Sequence, residues 1–268
     1  MRELMYDQSS IVICTMLLVS MLVATEAGYR IGRRAQPGAT EPYKAHAHSV
    51  QGSVLGILAL LLGFTFSLAL QRFDSRSEAV VDEANAIGTA YLRAQLLPTT
   101  IRADARQLLR DYLALRIRAS SLTLDQHEKR RALEAETTVL QDTLWRHARE
   151  GAEQDPRPAI ASLFVQSINE LIDSYGRRNA ELNRHVPEPV LILLFGVFVI
   201  AGGIVGFCAG LGGHRPSLAS HVMTVLIVIL VFVIIDLDRP RRGLITISQG
   251  SLLELNAAIG NEKPASSP

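Results

Sequence analysis

The sequence predicts an all-α membrane protein, with four transmembrane helices in two pairs and a helical soluble insert between spans 2 and 3. Apolar residues make up 48% of the 268 residues, and they are most concentrated in four separate runs. The polar stretch between the second and third runs shows helical periodicity and no strand-like alternation. The predicted domains are spans 1 and 2 within 1–70, a soluble domain at 71–188, spans 3 and 4 at 189–238, and a C-terminal tail at 239–268.

The four apolar runs are long enough to cross a bilayer. They occupy residues 10–27, 54–70, 190–211 and 222–235, and the last reaches spanning length with its flanks. A spanning helix needs about 20 mostly apolar residues. The first run is alternatively a cleaved signal peptide. Its start is not clearly positive and no small-residue cleavage site ends it, which favours a retained span.

The basic residues that flank the runs predict the topology. An even number of spans places the insert and both termini on one side, where nine arginines flank the membrane against five basic residues on the other. The nine are Arg2, Arg72, Arg76, Arg177, Arg178, Arg184, Arg239, Arg241 and Arg242, and the five are Arg30, Arg33, Arg34, Lys44 and Arg215. The positive-inside rule then predicts an inner-membrane protein with a cytoplasmic insert and cytoplasmic termini.

The insert is expected to consist of four helices. Residues 52–97 continue from the second span as one helix of roughly 70 Å, which Pro98 ends. The second helix starts with Thr99 or Thr100 as its cap, the third near Asp125, and the fourth after the sequence DPRP. The third carries its apolar positions at Leu133, Leu140, Leu144 and Trp145. Such stripes predict the seams of a helical bundle, with a partner-binding face as the alternative.

One face of the long second helix is small within the membrane and polar beyond it. It consists of Gly52, Gly56, Gly63, Ser67, Gln71, Asp74, Glu78 and Asn85. Small residues let transmembrane helices approach closely, which makes Gly52 and Gly56 candidates for helix packing. The same face, repeated around a ring of subunits, would form a pore wall, with Gly63, Ser67 and Gln71 as lining candidates. The two interpretations can coexist.

The third span carries glycines at every fourth position. Gly202, Gly206 and Gly210 therefore share one helix face, and this spacing is typical of close contact between helices. A backbone that contacts a ligand is the alternative.

Charged residues follow the fourth span directly. Asp236, Asp238 and Arg239 form either a juxtamembrane anchor or pairs with charges on the extension of the second span, which are Arg72, Arg76, Asp82 and Glu83. Carboxylates at the end of an apolar helix are costly unless they are solvated or paired. Two carboxylates are too few to predict calcium, which takes 6–8 oxygen ligands.

The remaining metal and catalytic signals are weak. The sequence HAHS at 46–49 is expected to be an exposed loop, and Cys14 and Cys208 lie inside apolar runs, so no metal site or disulfide is predicted. No nucleophile elbow, phosphate-binding loop or dinucleotide fingerprint occurs, so no catalytic residue, cofactor or enzymatic activity is expected. A net charge of +1 gives no basic excess that would indicate nucleic acid.

Two motifs carry a family resemblance: LLLGFTFSLALQRFDSRSEAVVDEANAIGTAYLR, from Leu60, and IIDLDRPRRGLITISQGSLLEL, from Ile234. They resemble the bestrophin-like family of bacterial membrane proteins, over nearly the whole chain, and more distantly the bestrophins themselves. Bestrophins carry a similar Gly-Phe pair in a pore-lining second span, followed by arginine; the matching positions here are Gly63, Phe64, Arg72 and Arg76.

The resemblance implies a homopentameric ion channel with four spans per subunit and a cytosolic helical domain. The implied partners are the lipid bilayer, other copies of the chain and inorganic ions. It also favours Phe64 over Phe66 as a pore-facing ring, since residues two apart on a helix are separated by about 200°. The segment DLDRPRRG is too short and too basic to match the calcium clasp of animal bestrophins. A non-conducting membrane scaffold or sensor, whose insert binds a partner, is the alternative function.

Overall fold

All regular structure in the described chain is helical. The computed structural model describes residues 8–122, 126–154, 158–239 and 244–261, and these contain no strand. A short 3₁₀ turn at Gln36–Gly38 links the first two helices. The α-helices are α1 Ser10–Ala35, α2 Glu41–Ala94, α3 Thr99–Ser120, α4 His127–Gln154, α5 Pro158–Leu182, α6 Glu188–Leu211, α7 Leu218–Asp238 and α8 Gly250–Gly260. The all-α prediction is confirmed.

Four helices have the length and composition to cross a membrane. They are α1, α2, α6 and α7, which contain the four apolar runs. The helices α3, α4 and α5 lie between the second and third of these spans in the chain. The predicted order of two spans, a helical insert and two further spans is therefore confirmed.

The chain divides into two compact units. The apolar unit contains the described residues of 8–72 and 185–239, with 244 and 245. The polar unit contains those of 73–184 and 246–261. Helix α2 contributes residues to both, because its 54 residues continue without interruption from Glu41 to Ala94.

The apolar unit has α1 at its centre, packed against both α6 and α7. Leu17 and Met21 of α1 and Phe198 of α6 are buried in it. The link between α6 and α7 turns at Gly213, whose φ of +79° is a conformation that favours glycine. Ser217 then starts α7 by accepting a hydrogen bond from the backbone N–H of Ser220.

The polar unit has a core built from the stripes of α2, α3 and α5. Ile87 and Tyr91 of α2, Leu109 of α3, and Phe164 and Ile168 of α5 are buried together. Each such side chain stabilises the fold by about 1.5–3 kcal/mol relative to its exposed state. The predicted bundle seams therefore lie in a hydrophobic core within the chain.

Helix α8 lies in the segment expected to be a tail. Leu252 and Ile259 are buried in the core of the polar unit, and Gly88 of α2 leaves room for Leu255. The seven-residue spacing of Leu252 and Ile259 is a helical signal, but an eleven-residue helix is weak by itself and depends on the core that it covers.

Several local expectations are wrong. The sequence HAHS is helical rather than a loop, because α2 already begins at Glu41, although His46 and His48 are both exposed. Neither Thr99 nor Thr100 caps α3, because Pro98 occupies the cap position and both threonines are inside the helix. The expected third-helix cap, Asp125, lies outside the described residues.

Trp145 was expected on the apolar face of the third insert helix, but 41% of it is exposed. Leu144, which was expected on the same face, is buried, as is Ala148. The next residue along a helix is rotated by about 100°, so burying Leu144 turns Trp145 outward.

Candidate functional site: the exposed face of helix α2

One face of α2 is buried within the apolar unit. Leu58, Leu62, Thr65 and Ala69 recur at spacings of four, three and four, and each is less than a tenth exposed. The Thr65 hydroxyl donates to the carbonyl of Leu61 at 2.7 Å, which satisfies the only polar group in this row. These contacts fix the rotation of the helix about its own axis.

The opposite face of α2 is uncovered within the chain. Its residues are exposed and comprise Gly52, Gly56, Gly63, Ser67 and Gln71. Their mean direction lies roughly 155° around the helix from that of the buried row, at 100° per residue. A Cβ added at any of the three glycines would meet no atom within 4 Å. Packing of Gly52 or Gly56 against another helix would therefore require a partner beyond the described chain.

The two phenylalanines beside this face have different environments. Phe64 is 61% exposed, whereas Phe66 is partly buried. Phe64 lies at the edge of the exposed face, roughly 75° from its centre at 100° per residue. A rotation of its side chain about Cα–Cβ is unobstructed by Gly63.

In the polar unit the same face of α2 becomes acidic. Asp74, Glu78, Asp82 and Asn85 are exposed there. Three of these four carry a carboxylate, whereas Arg76 is 1% exposed. Together with Thr89 and the α5 residues Gln166 and Glu170, Asp82 and Asn85 line a polar groove of about 370 Å³.

The charges buried beneath this face are paired. The Glu83 carboxylate accepts a hydrogen bond from Arg116 Nε at 2.6 Å and forms a second ion pair with Arg178. Arg116 also lies over the ring of Tyr175, at 4.6 Å from its centroid. Arg76 donates through Nε to the carbonyl of Glu181 at 3.1 Å and through a second nitrogen to that of Arg184. Buried charges of this kind are stable only when they are paired and hydrogen-bonded.

The carboxylate of Asp236, at the end of α7, is held by backbone amides. It accepts hydrogen bonds from the N–H groups of Leu244 and Ile245 at 3.1 and 2.8 Å. Asp238 accepts from the N–H of Val186 at 3.0 Å, and Arg239 donates to the Gln8 carbonyl and the Ser10 hydroxyl. These contacts connect the end of α7 with the starts of α6 and α1.

The comparisons with known proteins decide the family. A family model, described as a Bestrophin-like domain, matches residues 10–252.

The chain belongs to the bestrophin-like family.

A crystal structure of a bacterial bestrophin homolog from Klebsiella pneumoniae, a variant with one point mutation, has a similar fold. The TM-score is 0.62 at 16% sequence identity, over 93% of this chain and 100% of that chain. No curated protein matches. The similarity shows a bestrophin-type fold, and the four membrane-spanning candidates fall within the bestrophin-like domain.

The residues that the sequence suggested as one group of juncture charges have different environments. Asp82 is exposed. Glu83 is buried and forms two ion pairs, and Asp236 accepts hydrogen bonds from backbone amides. Arg72 forms no ion pair with any described residue, and the suggested pairing of Asp236 or Asp238 with Arg72 stays a prediction. Amides that follow α7 reach Asp236 at a smaller entropic cost than a distant side chain does. A pairing of Asp238 with Arg76 stays a prediction.

Sequence reasoning missed two features of this bestrophin-like chain. The partners of Glu83 lie 33 and 95 residues away in the sequence, and no local pattern indicates them. The glycines of α6 have counterparts on α1: a Cβ on Gly28 would overlap the carbonyl of Gly203, and one on Gly206 would overlap that of Thr25. Gly28 and Gly32 are four residues apart, which is the signal that could have identified them.

Among the described residues, no group of three or more histidine, cysteine, aspartate or glutamate side chains is placed to hold a metal ion.

Proposed function

We propose that this bestrophin-like protein forms a homo-oligomeric ring, in which the exposed face of α2 from each subunit lines a passive path for ions. The observation that supports it is the exposed small and polar face of α2, directly opposite the row that the chain buries. Glycine and serine leave space for an aqueous path, and an uncovered polar face within a membrane is otherwise costly. The pore-lining candidates are Gly63, Phe64, Ser67 and Gln71.

The charges on α2 favour cations as the permeating ions. Asp74, Glu78 and Asp82 are exposed, whereas Arg76 is buried. Rings of carboxylates attract cations and lower the energy of entry to a pore. We therefore expect reversal potentials that indicate cation selectivity, and a reduced selectivity when Glu78 is replaced by glutamine.

Accessibility of introduced cysteines tests the pore wall. Cys14 and Cys208 are first replaced by serine, and Ser67→Cys and Ala69→Cys are then compared in a reconstituted planar bilayer. A charged thiol reagent should change the current through Ser67→Cys within seconds and leave that of Ala69→Cys unchanged, because Ala69 is fully buried. Equal modification of both positions, or of Ala69→Cys alone, would exclude α2 from the path in this orientation.

Oligomeric state separates the channel from its alternative. A pore of α2 helices requires a stable ring, whereas a membrane scaffold or sensor does not. We expect a homo-oligomer in native mass spectrometry of the detergent-solubilised protein, and the family resemblance implies five subunits. A monomer, or an oligomer that never conducts, would favour the scaffold.

The same proposal places the chain in the bacterial inner membrane with the polar unit and both termini in the cytoplasm, and it assigns no catalytic step. A cysteine introduced at Glu150, which is partly buried in α4, should resist an impermeant thiol reagent in intact cells and react after lysis. Reaction in intact cells would reverse the assigned orientation.

A further inference from the structure

A cavity of about 140 Å³ in the polar unit is not used by the proposed ion path. It opens where the C-terminal ends of α3 and α5 meet the segment before α8. Val80, Leu182 and Ile247 give it an apolar wall, and Arg76 and Arg178 line it as well. Both arginines are nine-tenths or more buried.

The charges around this cavity do not balance. Arg116 and Arg178 share the single carboxylate of Glu83, and all three residues are buried. No other described carboxylate forms an ion pair with either arginine. The buried group of three therefore carries one surplus positive charge, which is costly in a low-dielectric interior unless an anion compensates it.

Arg178 also has an unused donor. One terminal nitrogen pairs with Glu83, and the other donates to Gln249 Oε1 at 2.7 Å. Its Nε is buried and finds no acceptor within the described part of the chain. Buried N–H groups are almost always satisfied by protein, water or ligand, so Arg178 has both the charge and the donor for a bound anion.

The negative helix ends near the cavity are already neutralised. Carbonyls at a helix C-terminus repel anions. At the end of α3, the hydroxyls of Ser120 and Ser121 donate to the carbonyls of Ile117 and Arg118 at 2.7 and 2.8 Å. At the end of α5, Arg76 donates to the carbonyl of Glu181. These helix ends therefore do not cancel the positive charge of Arg178.

We propose that the cavity binds a phosphate-type oxyanion, which Arg178 holds and which balances the surplus charge of the buried group. A guanidinium matches the oxygens of phosphate in geometry as well as in charge. A water molecule takes about 30 Å³ of liquid volume, so the cavity has room for a tetrahedral anion and for a small organic group against the apolar wall. Inorganic phosphate, a soluble phosphomonoester and a lipid headgroup share this chemistry.

Inorganic phosphate is the first probe. The full-length protein in detergent is titrated by calorimetry, and its Tm is followed in phosphate and in sodium chloride of equal ionic strength. We expect saturable binding of phosphate and a Tm that rises with its concentration above Kd. No saturable binding, or an equal response to chloride, would overturn the proposal.

Variants assign the binding to the cavity. Arg178→Gln should weaken phosphate binding at least tenfold, and its fold should hold because Glu83 and Arg116 remain as a neutral pair. Arg177→Gln is the matched control: Arg177 is the neighbouring residue, is exposed, pairs with Glu170 and is absent from the cavity, so its affinity should match the parent's. An unchanged affinity in Arg178→Gln, or an equal loss in Arg177→Gln, would refute the site.

A second variant covers the case in which Arg178→Gln does not fold. Thr246→Trp fills the cavity from its exposed edge and removes no charge. It should abolish phosphate binding, and normal binding in a folded Thr246→Trp protein would contradict the proposal.

Two further probes distinguish the sources of the phosphate group. Glycerol 3-phosphate and dihexanoyl phosphatidic acid share a phosphomonoester and differ in their acyl chains. Tighter binding of glycerol 3-phosphate assigns a soluble ligand, and tighter binding of the lipid assigns a headgroup. Either result supports the site if Arg178→Gln abolishes the binding. If neither compound binds, the proposal is overturned.

Discussion

Replacing Glu83 by glutamine would remove the carboxylate that two buried arginines share. Glu83 is 0% exposed, and its oxygens face Arg116 and Arg178. The glutamine side chain has nearly the same shape and can still accept a hydrogen bond from one of them. The variant therefore changes the charge of the buried group and leaves its packing intact.

The expected cost is large. Removing one partner of a buried ion pair destabilises a protein by about 3–5 kcal/mol, because the other charge stays buried and uncompensated. The amide oxygen of glutamine recovers part of this, so we expect about 3 kcal/mol. In a protein of 150–250 residues each kcal/mol lowers Tm by about 2–4 °C, which gives a decrease of about 6–12 °C.

Thermal unfolding of the detergent-solubilised protein, followed by circular dichroism at 222 nm, measures this decrease. Asp82→Asn is the control, since it removes the same charge from the adjacent residue, where the carboxylate is exposed. Exposed substitutions of this kind change stability by about 0.5 kcal/mol or less. A Tm within about 2 °C of the parent for Glu83→Gln, or an equal decrease in Asp82→Asn, would refute the reasoning.

The other predictions concern the pore, the helix crossing and pH. Phe64→Ala should raise the basal current of the reconstituted oligomer by widening a dry constriction, whereas Phe66→Ala should mainly lower Tm; the reverse pattern would show that the faces are exchanged. Gly206→Ala should cost about 1–3 kcal/mol through overpacking against Thr25, measured as a fall in Tm, while Gly196→Ala, where nothing lies within 4 Å, should be neutral or slightly stabilising. Burial and the nearby Glu83 raise the pKa of Tyr112, so the folded state holds its proton more tightly than the unfolded state, whose tyrosine pKa is about 10. The contribution of Tyr112 to the free energy of unfolding is complete below about pH 10 and falls as the pH rises above that value. The Tm of Tyr112→Phe should therefore decrease less than that of the parent between pH 9 and 11. Equal decreases would contradict this.

The sequence was sufficient for features that depend on local patterns. The four spans follow from runs of apolar residues, and the continuity of α2 follows from the absence of a breaker before Pro98. The residues from Gly52 to Asn85 that form the exposed stripe share one helical face, which their spacing in the sequence predicts. The buried side of α2, with Leu58, Leu62, Thr65 and Ala69, was not predicted and is known from the structure.

Features that depend on distant contacts could not be predicted in this way. Glu83 and Asp82 are adjacent carboxylates, and the two arginines that pair with Glu83, Arg116 and Arg178, are distant in the sequence. Trp145 is the largest apolar side chain of its stretch, yet the neighbouring Leu144 forms the contact, because a partner helix covers a narrow face. For α8, apolar residues at Leu252 and Ile259 are too few to predict a helix without the core beneath them.

The glycines at the crossing of α1 and α6 tolerate almost no substitution. Glycine is the smallest residue, so every codon change at Gly28 or Gly206 that replaces it adds atoms to a contact between two backbones. A compensating mutation would have to shorten the opposing residue, but Gly203 already opposes Gly28 and has nothing to remove. Suppressors of such a change should therefore arise away from the crossing, by displacement of a whole helix, and not by substitution at the point of contact.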